Sequence, residues 1–318
     1  MRRRTDTADA GAEGAKYVTI TAGIISYNVK DKLAECITTL ERFLPDVPIV
    51  VWDNGSDDGT VSMMQAKFPK VVVHHCPENL YFARGCNELV ARCASRYTLL
   101  MNADIKLLDE SCREIARYMD SRPEVIAASP SIIDNGLVRH MASGIITPLQ
   151  CIARDSVFGT VLRRRKAYRI CMEADREPRS VFDSAKITNC CCMIRNEPFL
   201  ETGGFSTRQI LYWTEEDFAL RVRRKGWVQS VCGTSMVEHD HGSSTKKLPA
   251  SLVRALYVHD RLAYMRSHFG MGAMIMVECA LLRPRIWKTF ADFGSVLRHV
   301  NRIGSIKKNI VTYPTESI

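Results

Sequence analysis

The sequence predicts an α/β fold with a mostly parallel sheet and helices on both of its faces. Three observations carry that expectation. From Tyr17 onward, β-branched apolar runs alternate with longer segments whose apolar residues recur at helical spacing. The strand-like runs are near-continuously apolar rather than alternating, as burial on both faces demands. Each of the first four runs also ends in a polar cluster, and in open sheets of this kind ligands bind beyond the carboxyl ends of the strands.

Residues 18–25 read as the first buried strand, and 31–44 as a helix with Leu33, Ile37, Leu40 and Leu44 on one face. Pro45 and Pro48 mark the way into a second strand, 47–52. A short helix over 60–68, a third strand at 71–73, a helix over 82–94 and a fourth strand over 97–101 complete the rhythm. Residues 135–182 read as loop-rich and contain the basic run 163–166. Order returns with a strand over 187–194, an acidic-to-basic helix over 215–225 and a strand over 227–231. No internal repeat is present.

Three regions are expected: a disordered tail over 1–16, a main domain over 17–247 and a basic helical extension over 248–318. The tail has no apolar core of a secretory signal. Residues 250–318 carry ten Lys and Arg against four Asp and Glu. Within them, 271–282 is apolar but, at roughly a dozen residues, too short to span a bilayer. Beside Arg283, Arg285, Trp287 and Lys288 it reads equally as an interfacial amphipathic segment, giving peripheral membrane contact through 270–290, or as a helix packed on the main domain.

The chain has 12 cysteines and a net charge of +9. The cysteines are scattered, several lie in apolar runs and none forms a C-x-x-C pair, so a reducing, cytosolic setting is expected rather than a disulfide scaffold or structural zinc. Positive charge suits phosphates or an anionic membrane surface, possibilities that concern partners and not fold. No nucleic-acid motif appears, and no nucleic-acid partner is expected.

Chemistry concentrates in the polar clusters. They are Ser26-Tyr27-Asn28, the loop from Asp53 to Gly59, residues 74–79 and Asn102-Ala103-Asp104. Asp104, just past a buried strand, suits a divalent cation, which prefers one or two carboxylates together with phosphate and water. Alone it reads as well as a helix cap or turn residue. A carboxylate at Asp53 can accept a hydrogen bond from a pyrimidine N–H, or simply close its own turn. Glu215, Glu216 and Asp217 open a helix and offer either a general base or a cap. His239 reads as a metal ligand or a loop histidine.

Together these segments resemble the inverting family 2 glycosyltransferases, and most closely their rhamnosyltransferase-like members. The resemblance runs through 24–28, Asp53 to Thr60, Glu78-Asn79-Leu80-Tyr81-Phe82-Ala83-Arg84-Gly85-Cys86-Asn87 and Met101 to Asp104. It continues through Cys190 to Arg195, Gly203-Gly204-Phe205, Arg224 to Trp227 and 239–244, covering about residues 17–245 in order. It implies a GT-A fold and a nucleoside-diphosphate sugar donor, dTDP-rhamnose or a UDP-sugar. The implied acceptor is a hydroxyl of a saccharide or lipid-linked molecule in cell-surface glycan synthesis, at the inner face of the plasma membrane. The donor would meet Ser26, Asn28, Asp53, Asn54, Ser56, Asp57, Asn79, Arg84, Asn87 and Asn102. Mg2+ or Mn2+ would meet Asp104 and His239. Counted back from Gly226-Trp227, Glu215 falls at the family's catalytic base and Asp217 at its second acidic position. Three departures stand out: Tyr81 where the family has glycine, Ser206 for aspartate, and Ala103 for proline. The rival readings are a nucleotidyltransferase, which would need a Gly-rich basic loop where Ser26-Tyr27-Asn28 stands, a basic membrane- or nucleic-acid-binding protein, and an inactive homologue.

Overall fold

The computed structural model describes residues 19–156, 159–162, 164–172, 175–240, 248–281 and 311–313. The expected tail over 1–16, residues 241–244 of the resemblance, and the part of 270–290 beyond residue 281 lie outside the described residues.

The chain opens as strand–helix repeats: β1 (Ile20–Ser26), α1 (Lys30–Phe43), β2 (Ile49–Asp53), α2 (Thr60–Lys67), β3 (Val72–His75), α3 (Tyr81–Val90) and β4 (Tyr97–Asn102). A short β5 (Ile105–Leu107), α4 (Cys112–Ser121) and β6 (Val125–Asp134) come next. The stretch expected to be loop-rich holds β7 (Leu137–His140), β8 (Ala142–Ser143), α5 (Pro148–Asp155), α6 (Gly159–Leu162), α7 (Lys166–Cys171) and β9 (Val181–Ser184). None exceeds eight residues, too short for periodicity to register. One signal was there: Thr147 and Gln150 form a capping box around Pro148, which starts α5.

The second half contains β10 (Lys186–Ile187), β11 (Cys191–Arg195), α8 (Asn196–Glu201), α9 (Thr214–Arg224), β12 (Val228–His239), α10 (Ala250–Leu281) and β13 (Val311–Tyr313). The main sheet runs β13-β3-β2-β1-β4-β11-β6-β12-β5. Strands β1 to β4 are mutually parallel. Strand β11 lies antiparallel between β4 and β6, and β12 is parallel to β6, so β6 and β12 point the same way as the first four. The antiparallel strands are β11, the edges β13 and β5, and β7 and β9 beside β6 and β12. The sheet is therefore mixed around six strands of one direction. Strand β12 extends eight residues past the expected end because the register shifts between Cys232 and Met236, which breaks the alternation that would reveal it.

Each face of the sheet carries a core. On one side Ala22 and Ile24 of β1 pack with Leu33, Ile37 and Leu40 of α1, Met64 of α2 and Ile115 of α4. On the other, Ile25, Trp52 and Leu100 pack with Cys86 and Leu89 of α3, Phe199 of α8 and Phe218 of α9. Phe199, Phe205 and Phe218 meet with ring centroids 5.1–5.4 Å apart, which anchors the Gly203-Gly204-Phe205 turn. All 12 cysteines are free thiols.

Arg195, only 9% exposed, ties this half together. It donates to the Tyr97 hydroxyl at 3.0 Å, the Val125 carbonyl at 3.2 Å and the Met119 carbonyl at 2.7 Å. Arg195→Met leaves those buried acceptors without donors, and urea unfolding should show a loss of about 3 kcal/mol or more. An unchanged midpoint would mean that the guanidinium contributes nothing net.

Candidate active site

The parallel register brings the strand-end clusters to one edge, pairing Ser26 with Asp53, Asp53 with His75, and Ile25 with Asn102. Asp53 is fully buried. Its carboxylate accepts from the Ser56 N–H at 3.1 Å, from the Ser56 hydroxyl and from His75 Nδ1 at 2.7 Å. Because a carboxylate only accepts, His75 carries its proton on Nδ1. The Ser56 hydroxyl in turn accepts from the Asn28 N–H, and Asn28 Oδ1 from the Asp57 N–H, each at 2.8 Å. These bonds join the loops after β1 and β2. Gly55 at φ 77 makes the turn possible, since a Cβ there would lie 3.1 Å from the Cys76 and Pro77 carbonyl oxygens.

Several residues expected at the donor use their amides within the chain. Asn54 accepts from Trp52 Nε1 at 2.9 Å and donates to the Tyr81 carbonyl at 3.1 Å. Asn79 accepts from the Tyr81 N–H at 2.7 Å. Asn87 donates to the Phe205 carbonyl and accepts its N–H, both at 2.8 Å, clamping α3 to the glycine turn. They hold the walls of the cleft. Ser26 is buried and its hydroxyl has no hydrogen-bond partner. Asn102 and Arg84 are half-buried and Asp57 is exposed.

Tyr81 takes the left-handed backbone conformation, φ 57, that a glycine would adopt freely. Its ring packs with Ile210, Ala255 and Leu256. Burial pushes its phenol up to about 12.

Asp104 and His239 come together because β5 pairs antiparallel with β12, with Ile105 opposite His239. The Asp240 N–H donates to the Asp104 carbonyl at 3.1 Å, and Lys32 Nζ lies 2.7 Å from Asp240 Oδ2. His239 Nε2 stands 3.3 Å from Asp104 Oδ1, and that buried oxygen accepts no hydrogen bond. A buried carboxylate oxygen that accepts no hydrogen bond is unfavourable in a closed protein. It fits a hard divalent cation that takes one or two side chains and completes its shell with phosphate and water. Among the described residues no group of three His, Cys, Asp or Glu forms a cage.

The start of α9 carries the three adjacent carboxylates. Glu215 is half-buried and accepts from the Thr214 hydroxyl at 3.0 Å. The buried Cys190 thiol links Glu215 to Asp104: burial, then the charges of Glu215 and Asp104, raise it to about 12. Both carboxylates therefore lie within electrostatic reach of one side chain.

A model of glycosyl transferase family 2 matches residues 21–200. The chain belongs to that family. An N-acetylglucosaminyl-diphospho-decaprenol L-rhamnosyltransferase of Mycobacterium tuberculosis is 23% identical over 280 residues, 77% of this chain and 91% of the relative. The structure of GalNAc-T7 with UDP, GalNAc and Mn2+ matches with a TM-score of 0.55 at 11% identity, over 90% of this chain and 59% of that one. The mannosyltransferase PcManGT from Pyrobaculum calidifontis, in complex with GDP-Man and Mn2+, matches with a TM-score of 0.52 at 14% identity, over 91% and 77%. The expected GT-A-like fold and the rhamnosyltransferase-like type are thus borne out, and the protein is a glycosyltransferase.

Within the transferase, three adjacent carboxylates have three environments. Burial, reinforced by neighbouring Glu216, raises the pKa of Glu215. Glu216 is also buried, but Lys186 Nζ at 2.9 Å holds its pKa low. Asp217 accepts from Arg221 Nε at 2.6 Å and from His268 Nε2 at 2.8 Å. Against the cost of burial, the His268 hydrogen bond and the Arg221 charge keep its pKa below the ordinary value. Glu215 is the carboxylate with both access and proton affinity.

Sequence reasoning missed three residues here, and it placed His75 in a strand-end cluster without its bond to Asp53. Lys186 is an ordinary surface type whose partner Glu216 lies thirty residues away. Asn189, whose buried Nδ2 has no partner, precedes Cys190 and looked like part of a strand. Asp260 looked like one charge on a helix.

Because its folded pKa is depressed, the Asp217 carboxylate contributes stability above its unfolded pKa, and that contribution is lost as pH falls through the folded value. Asp217→Asn should therefore lower the unfolding free energy of the transferase at pH 7. The difference from the parent should close below the ordinary aspartate value of 3.8. A difference that persists unchanged into strong acid would exclude ionic anchoring by Asp217.

Proposed function

We propose that the chain transfers a sugar, with inversion, from a nucleoside-diphosphate sugar to a hydroxyl of a saccharide or lipid-linked acceptor in cell-surface glycan synthesis. The observation that carries this is the Asp104 oxygen, buried without a hydrogen bond 3.3 Å from His239 Nε2, beside the polar ends of the parallel strands. The name of the mycobacterial relative, with its lipid diphosphate acceptor, supports the same acceptor class, and dTDP-rhamnose or a UDP-sugar is the matching donor.

In this reading the acceptor hydroxyl binds beside Glu215, which removes its proton as the oxygen attacks the anomeric carbon from the face opposite the leaving diphosphate. Asp104 and His239 would hold Mg2+ or Mn2+, which offsets the charge developing on the departing diphosphate. Asp53, braced by His75 and Ser56, forms the floor for the base, and Ser26, Asn102 and Arg84 line the way to the diphosphate. A cytoplasmic location, peripheral at the inner face of the plasma membrane, suits such an acceptor. Among the described residues no helix is long and apolar enough to cross a membrane. Beyond a break in α10 at Gly270, Met271, Ile275 and Met276 leave an exposed apolar strip, which fits contact with the edge of a lipid layer.

Donor binding by calorimetry across UDP-, dTDP- and GDP-sugars should strengthen with Mn2+ or Mg2+, and Asp104→Ala should abolish the metal increment. Binding indifferent to both would overturn the metal reading. Glu215→Gln should lower kcat by about 10²–10⁴-fold while leaving the donor Kd within about twofold. Retained turnover, with loss in Asp217→Asn instead, would move the base to Asp217. A base must be ionised, so the rate should fall as pH drops through a value above the 4.5 of an ordinary glutamate.

A further inference from the structure

Helix α10 grips the segment that leads into Glu215. Asp260 is fully buried. Its Oδ1 accepts from the Ile210 N–H at 3.0 Å, and its Oδ2 from the Leu211 and Tyr212 N–H groups at 2.9 and 2.8 Å. Three consecutive backbone donors thus converge on one carboxylate. They belong to no helix or strand, so without Asp260 they would be buried donors lacking acceptors. His259 Nδ1, 2.8 Å from Asp260 Oδ1, adds a fourth contact.

The next residue, Trp213, is left-handed at φ 61, and α9 begins immediately after it. Glu215 is therefore five residues past Ile210, with a fixed turn between. Eight residues along α10 from Asp260, His268 donates Nε2–H to Asp217 at 2.8 Å, while Arg224 lies 3.1 Å from His268 Nδ1. One helix thus holds the chain both before and after the proton acceptor.

We propose that Asp260, with His268 as a second hold, is a positioning residue for Glu215, so that α10 sets where the base stands in the cleft. The proposal rests on Glu215 being the base. A displacement of about 1 Å in a reacting group is enough to cost about 10²-fold in rate. Neither Asp260 nor His268 touches the Asp104–His239 corner, so the increment that a metal adds to donor binding should not depend on them.

The decisive variant is Asp260→Asn, which keeps the volume and one acceptor oxygen but sets an amide N–H2 against a backbone donor. The increment that Mn2+ adds to donor binding should stay within about twofold of the parent while kcat falls by about 10–100-fold. The acid limb of kcat/KM should also move to lower pH, as a loosened turn exposes Glu215 to water and lets its pKa fall. The other titratable groups facing Glu215, namely Glu216, Lys186, Cys86, Cys190 and Cys192, are unaltered by the change. In a Glu215→Gln background the substitution should cost less than about twofold further, because two residues acting through one step are not additive.

An unchanged kcat and acid limb in Asp260→Asn, with Glu215→Gln inactive, overturns the positioning role and leaves the base reading intact. A fully active Glu215→Gln instead overturns the base reading, and the proposal with it. A full additional loss in the double variant also overturns it. If Asp260→Asn does not fold, His268→Phe decides: lowered kcat with an intact Mn2+ increment in donor binding supports the strap, and parental kcat excludes it.

Discussion

The two halves of the site meet at one hydrogen bond, from the Asn102 N–H to the Cys190 carbonyl at 2.8 Å. It extends the antiparallel β4–β11 pairing by one step, from Asn102 at the end of β4 to the residue before β11. On its β4 side the chain turns through Asp104 toward His239. On its β11 side lies Cys190, within reach of Glu215. A shift of register here would carry every side chain of β11 to the opposite face of the sheet. It would bury Cys190 elsewhere and separate the proton acceptor from the diphosphate corner. Strand pairing therefore fixes the Asp104 side of the site, while Glu215 depends on the segment from Ile210 to Trp213 and on α10.

Much of this was legible in the residues. The four strand-end clusters were predictable because parallel strands buried on both faces are simple apolar runs, and the polar residues that end each run must then lie at one edge. Asp104 and His239, 135 positions apart, were legible only through the family pattern, since the β5–β12 pairing that joins them leaves no local trace. The amides of Asn54, Asn79 and Asn87 were harder. Residue type announces hydrogen-bonding capacity but not the partner, and all three use that capacity to hold backbone. The region 135–182 hid its elements because pieces of two to eight residues complete barely two helical turns or a few strand alternations. Asp260 was invisible for a related reason: in Val258-His259-Asp260-Arg261 it resembles any charged helical face, and its partners lie about fifty residues earlier.

Glu215, Glu216 and Asp217 illustrate how little composition decides. The three are consecutive, and all gain from the positive end of α9. Glu216 meets Lys186 from β10 and stays charged. Asp217 is enclosed by Arg221 and His268 and becomes an anchor. Around Glu215, burial and the like charge of Glu216 outweigh Lys186 and the Thr214 hydroxyl, so it retains affinity for a proton. The differences come from the groups facing each side chain, and those groups belong to three separate parts of the chain.

The backbone around α9 carries strain that α10 offsets. Tyr81 and Trp213 are both non-glycine residues in the left-handed region, at a cost of about 1–2 kcal/mol each. Both abut the loop from Ile210 to Tyr212, and both are nearly buried. Tyr81 packs on Ala255 and Leu256 of α10, while Trp213 lies between Tyr257 and Tyr264 with the Arg154 guanidinium 4.8 Å above its ring. Such conformations persist only where surrounding contacts over-determine them, and here every one of those α10 contacts comes from Ala255 to Tyr264. A glycine at position 81 would need no such support. Tyr81 thus couples α3 to the C-terminal helix through an aromatic contact with Ala255 and Leu256.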